Sequence, residues 1–140
     1  MRILGLDYGD SRVGVAVSDE SCKIAFDCGI IDASQGRKYV AGKVIELMVK
    51  YNTDMVVIGY PINMDGSCGF RVKATEKFAK VLKELKPEAT IEFFDERLTT
   101  KSADAALLEM GVSQGNKGMN DIIAAMLILQ AYLDRNACKN

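Results

Sequence analysis

"LDYGDSRVGVAVSD", residues 6–19, decides how the chain begins to fold. Ile3, Leu4 and Leu6 make a short apolar run at its start, and Val13, Val15 and Val17 alternate with small residues behind it, the two-residue period of paired strands. Between them, Tyr8-Gly9-Asp10-Ser11-Arg12 supplies residue types that close a tight turn. The unit reads as a β-hairpin. Asp7 ends its first strand, where lost hydration must be offset by a hydrogen bond, a basic partner or a metal. Two readings stand at this point. Either the Gly9 and Asp10 amides or Arg12 satisfy the acid within the turn, or Asp7 belongs to a site completed by distant parts of the chain.

Beyond the hairpin, residues 23–31 ("KIAFDCGII") read as a third strand. Over residues 37–51, Val40, Val44, Leu47, Met48 and Tyr51 recur at three- and four-residue steps, which predicts an amphipathic helix. "MVVI", residues 55–58, is a continuous apolar run ending at Gly59, as suits a parallel strand covered on both faces. A loop, "YPINMDGSCG", precedes a second helix over residues 70–85, with Ala74, Phe78, Val81, Leu82 and Leu85 inward and Lys73, Lys77 and Lys80 outward. Residues 91–94 form a fifth strand, and "DERLTT" leads into a helix ending near Gly111. A closing helix over residues 120–135 takes Asn120 as its N-cap and carries Asp121 in its first turn. The order β-β-β-α-β-α-β-α-α predicts an α/β fold: a five-stranded mixed sheet, three antiparallel strands then two parallel, flanked by helices.

Length and composition narrow the possibilities. A chain of 140 residues suits one domain over residues 1–140. Hydrophobic content of 49% and charged content of 26% belong to globular proteins rather than disordered or fibrous ones. The longest uninterrupted apolar stretch, residues 122–129, is far short of the roughly 20 residues of a membrane span. No secretory signal is evident, so a cytoplasmic location is expected, with no membrane partner. Cys22, Cys28, Cys68 and Cys138 are scattered without a C-x-x-C pair, and histidine is absent. Zinc sites and histidine-based nucleophile arrangements are thereby disfavoured. Catalysis would rest on carboxylates, lysines, tyrosines or a metal. A net charge of -1 leaves any nucleic-acid surface local.

In open α/β sheets the ligand crevice lies at the carboxyl ends of the parallel strands. Asp7, the segment from Gly59 to Asn63, and Asp95-Glu96 all end such strands. Asp121 adds a third acid if the closing helix crosses the same edge, although an acid there also offsets the helix dipole. Three carboxylates around one point repel one another unless a cation neutralises them, and Mg2+ or Mn2+ is the natural cation for all-oxygen ligands. Two such ions serve phosphodiester hydrolysis without histidine.

Four blocks, "LDYGDSRVGVAVSD", "VVIGYPINMDGS", "FFDERLTT" and "NKGMNDIIAAMLILQAYL", together resemble the signatures of the YqgF family, also called RuvX, within the RNase H-like superfamily. The matches span essentially the whole chain in order. The resemblance implies an RNase H-like fold and a metal-dependent nuclease. It implies a role in 5′-end maturation of the pre-16S rRNA precursor or in resolving Holliday junction DNA. Matched residue by residue, Asp7, Glu96 and Asp121 are the implied catalytic and metal-binding acids, with Mg2+ or Mn2+ in a two-metal arrangement. Asp95 ranks behind Glu96 because it should face the other side of its strand. Thr99 or Thr100 reads as a helix N-cap. Arg12, Asn63, Arg71, Lys73, Arg97 and Lys117 are candidates for nucleic-acid contact. Phe70 stands where many members of the family carry proline. Junction cutting implies a two-fold homodimer, whereas trimming an RNA end needs only a monomer. Two other classes compete: a non-catalytic nucleic-acid-binding protein of the same fold, and a single-domain ATP-binding module of the actin and sugar-kinase kind.

Overall fold

The computed structural model describes residues 2–61, 66, 69–96 and 117–137. β1 (Leu4–Tyr8) and β2 (Arg12–Ser18) form the expected hairpin, antiparallel from Leu4↔Val17 to Tyr8↔Val13. The Gly9 amide donates to the Arg12 carbonyl at 3.0 Å and closes the turn, so this amide is not the partner of Asp7. β3 (Ala25–Asp32) pairs antiparallel with β2, and a single 3-10 turn, Ala33–Gln35, leads into α1 (Arg37–Lys50). β4 (Met55–Tyr60) lies parallel beside β1. α2 (Phe70–Leu85) then returns the chain to β5 (Thr90–Asp95), parallel to β4, and α3 (Lys117–Ala137) is the last described element. The strand order is β3-β2-β1-β4-β5, the five-stranded mixed sheet that the element order predicts. The parallel trio β1, β4 and β5 sends its carboxyl ends to one edge. The helix expected to end near Gly111 lies outside the described residues.

The two faces of the sheet are packed differently. Against α1 and α2, Leu4, Leu6, Val13, Val15 and Ile58 meet Val40, Val44, Phe78 and Leu82 in the larger apolar core. On the other face, Ala16 and Ala25 meet Ala125, Leu129 and Leu133 of α3, while Val57 and Phe94 meet Ile128. Gly5 sets how near α3 comes to β1: a Cβ there would lie 2.7 Å from Leu129 Cβ and 3.3 Å from the Ala125 carbonyl oxygen. Gln130 latches α3 to the start of β3, accepting from the Ala25 amide and donating to the Lys23 carbonyl, each at 2.9 Å. None of the described helices is long and apolar enough to cross a membrane.

Two expectations are corrected. On α2 the buried stripe is Val72, Thr75, Phe78, Ala79 and Leu82, and Leu85 is half-exposed. Thr75 is polar yet sits in the stripe because its hydroxyl donates to the Arg71 carbonyl at 2.8 Å, which hides the helix face from a count of apolar residues. α3 starts at Lys117, so Asn120 lies inside the helix rather than capping it, and the first turn holds no acid. Tertiary packing of the long apolar segment carries the helix past its propensity signals. Asp121 therefore falls beyond the turn in which a carboxylate best offsets the helix dipole.

Candidate acidic site at the carboxyl edge of the sheet

Asp7 and Glu96 come together although a whole strand separates them. One step beyond the parallel pair Leu6↔Ile58, Asp7 is level with Gly59 of β4, and Gly59 is paired with Phe94, two residues before Glu96. Side-chain alternation puts Asp7, Gly59 and Glu96 on the face covered by α3. The backbones of β1 and β5, with β4 between them, are about 10 Å apart. The Glu96 side chain spans this gap over Gly59 and shares a side-chain hydrogen bond with Asp7. Burial, then the neighbouring Asp7 charge and that hydrogen bond, push the Glu96 carboxyl up to about 8. Without a bound cation the Glu96 carboxyl is thus biased towards its protonated form near neutral pH.

Arg71, in the first turn of α2, donates from Nη2 to the Tyr8 carbonyl at 2.8 Å. Its positive charge opposes the rise of the Glu96 pKa, which puts the guanidinium at the same edge. The Tyr8 ring stacks on Phe78 with centroids 4.5 Å apart and planes inclined by 22°, fixing the end of β1 against α2. Asp95 pairs in register with Tyr60, one position before Glu96 and so on the opposite face of β5, and it is the weakest of the resolved influences on Glu96. Arg12 opens β2 at this edge, and Lys73 is exposed on α2. Asn63, Arg97, Thr99 and Thr100 lie outside the described residues, as do the side chains of Lys117 and Asp121.

The α3 backbone nevertheless locates position 121. It stands one turn before Ala125, whose carbonyl oxygen faces Gly5, while later residues of the helix pack near Ile3 and Ala25. α3 therefore runs antiparallel to β1, and its early turns lie toward the Asp7 end. Among the described residues no group of three or more potential metal ligands assembles. The chemistry of the described pair is unambiguous: partly buried carboxylates offering only oxygen donors, suited to hard divalent cations.

A sheet in this strand order, with paired acids at the carboxyl edge of its parallel strands, defines an α/β protein of the RNase H-like class. Among solved structures, Thermus thermophilus RuvC in complex with a Holliday junction substrate matches with a TM-score of 0.64 at 14% identity, covering 98% of this chain and 96% of that one. The yeast mitochondrial Holliday junction resolvase Ydc2 matches with a TM-score of 0.55 at 15% identity, covering 98% of this chain and 82% of that one. At such identities these likenesses establish the fold. A family model described as "RuvX: Holliday junction resolvase" matches residues 1–135. A relative from Ruminiclostridium cellulolyticum, named "Putative pre-16S rRNA nuclease", is 44% identical over 138 residues, 98% of this chain and 96% of its own length. A Bacillus cereus relative of the same name is 41% identical over 137 residues, 96% of this chain and 99% of its own. The chain belongs to the RuvX family.

Proposed function

We propose that this protein is a divalent-metal-dependent nuclease that hydrolyses phosphodiester bonds in the 5′-end maturation of pre-16S rRNA, acting in the cytoplasm as one domain over residues 1–140. The observation that carries the reading is the acid pair. Asp7 and Glu96, from strands on either side of β4, share a hydrogen bond at the edge where α/β sheets bind ligands. A structural acid pair with no catalytic use would be an expensive feature, because each carboxylate suppresses the ionisation of the other.

Asp7, Glu96 and Asp121 are the residues that would hold Mg2+ or Mn2+, in a two-metal arrangement. Held there, such cations would activate a water and stabilise the leaving oxygen. The chain's own residues do the rest. Arg71, anchored on the Tyr8 carbonyl, presents a positive charge beside the acids and suits a phosphate. A pure binding protein would gain nothing from carboxylates facing the phosphate backbone. The pre-16S substrate rests on the names of the relatives, and the family description supports four-way DNA junctions as a second substrate. Trimming one RNA end asks for a monomer, whereas symmetric junction cutting asks for a two-fold homodimer.

The decisive assay offers labelled precursor rRNA and a four-way DNA junction side by side, with Mn2+, Mg2+ or EDTA, to wild type, Asp7→Asn and Asp121→Asn. Metal-dependent cutting that falls at least about 100-fold in each variant is expected. Equal cutting in EDTA, or by Asp7→Asn, would sink the proposal.

A further inference from the structure

We infer that Gly59 is a positioning residue for the acid pair: the space left by its missing side chain is the seat across which Glu96 reaches Asp7. The inference rests on the metal-dependent reading of that pair and adds a residue outside the acids themselves. Gly59 is buried at the end of β4, and a Cβ built on it would lie 2.5 Å from Glu96 Oε1, 3.0 Å from Glu96 Cγ and 2.6 Å from Ile128 Cδ1. Contacts below 3.0 Å force something to move, and here what gives way is the end of a flexible side chain, the Glu96 carboxylate or the Ile128 methyl, rather than backbone. Two different neighbours therefore compete for the same space. One is a carboxylate arm arriving from β5, and the other is an apolar methyl from α3.

Topology explains why the seat must be empty. β1 and β5 flank β4, so a side chain on the α3 face of β4 at this level would stand as a post between the two acids. An Asp at position 96 would be one methylene shorter, and even a Glu spans the gap only by lying flat on the strand beneath it. The backbone conformation of Gly59 is not the reason for glycine, since its φ is absent from the positive glycine angles Gly29, Gly36 and Gly66. An isolated glycine inside a strand marks close approach by another group, and here that group is a functional carboxylate.

The two contacts allow packing to be separated from positioning. Gly59→Ala should lower Mn2+ affinity by about 10- to 100-fold, as loss of support around metal ligands typically does. It should also lower the melting temperature slightly, because the Ile128 methyl must swing aside. Gly59→Ala combined with Ile128→Val removes the apolar clash and leaves the one with Glu96. The melting temperature should recover and the Mn2+ affinity should not, with Ile128→Val alone as the control. Glu96→Asp, which keeps Gly59 and the charge, should lose Mn2+ affinity to a similar degree.

A metal-free readout makes the inference independent of the nuclease reading. In a protein with 13C-labelled carboxylates, the Glu96 resonance should shift on Asp7→Asn when residue 59 is glycine, and should not respond in the Gly59→Ala/Ile128→Val background. Wild-type Mn2+ affinity in that double variant, or a Glu96 resonance that still responds there to Asp7→Asn, overturns the role of Gly59. If wild type binds no Mn2+, the nuclease reading fails and the resonance alone decides the inference.

Discussion

On the α1/α2 face the sheet presents Leu4, Leu6, Val13, Val15 and Ile58, each essentially without solvent exposure, whereas on the α3 face the neighbouring positions are Gly5, Asp7, Ala16 and Gly59. The alternation within β1 alone, Leu4-Gly5-Leu6-Asp7-Tyr8, divides the work. One face buries large side chains, each contributing about 1.5–3 kcal/mol. The other is kept thin so that a helix can lie close and carboxylates can meet above the strands. The carboxylates thus lie on the face whose residues around β1 are smallest, and a one-residue slip of register would exchange the two sets. The division can be broken from either side.

The largest expected effect lies on the thick face. Phe78 is fully buried, stacks on Tyr8 and belongs to the main core, so Phe78→Ala should destabilise the protein by about 3–5 kcal/mol in urea unfolding. A loss below about 1 kcal/mol would mean that the α1/α2 face is not where stability resides.

Sequence patterns reveal these faces unequally. The hairpin and β4 are legible because their two-residue alternation and continuous apolar run are local signals, and the element order leads directly to the mixed sheet. The inward stripe of α2 is not, because Thr75 is buried through a hydrogen bond that no hydropathy pattern carries. The start of α3 also escapes: the helix begins at Lys117, three residues before the Asn120 that reads as a cap, while its apolar middle packs on Gly5 and Ala16. At the site, Asp7 and Glu96 are visible as residues ending strands, whereas Asp121 is visible only as an acid near the start of the closing helix. The choice of Glu96 over Asp95 follows from alternation once β5 is known to reach Asp95. The passage over Gly59 is a property of parallel register between β4 and β5, which is set by the whole fold. In the sequence Gly59 marks only the end of the apolar run in "MVVIGY".

The next effect sharpens the chemical side of the comparison. The folded protein holds the Glu96 carboxyl near 8, above its ordinary value of 4.5, so the native state binds more protons than the unfolded chain between those values. Metal-free protein should therefore be most favoured by Glu96 below about pH 4.5 and should lose that contribution as pH rises towards 8. Glu96→Gln should flatten the slope in thermal melts taken across this window, and Mn2+ should flatten it in wild type. A metal-free stability that rises between pH 5 and 8 through Glu96 would contradict the acid pair.

Gly5→Ala tests the thin face without touching an acid. The added methyl meets Leu129 Cβ at 2.7 Å and the Ala125 carbonyl oxygen at 3.3 Å, so α3 must lift from β1. An overpacking penalty of about 1–3 kcal/mol is expected. Because position 121 rides on the same helix, cleavage should fall along with stability. Activity that survives a clear loss of stability would separate the placement of α3 from the chemistry.

The smallest effect is expected at the boundary between the faces, where α2 reaches over the edge with Arg71. Its guanidinium is tied to the Tyr8 carbonyl by one nitrogen, and its charge is felt by Glu96 at the same edge. Lysine preserves the charge but not the fork, so Arg71→Lys separates orientation from simple attraction. If Arg71 holds a substrate phosphate equally in the ground and transition states, KM should rise about tenfold with kcat nearly unchanged. A fall in kcat at constant KM would instead assign the guanidinium to charge that develops during bond cleavage. In that case the catalytic edge would draw on the α1/α2 face as well as on the acids, and the separation of stability from chemistry would end at the first turn of α2.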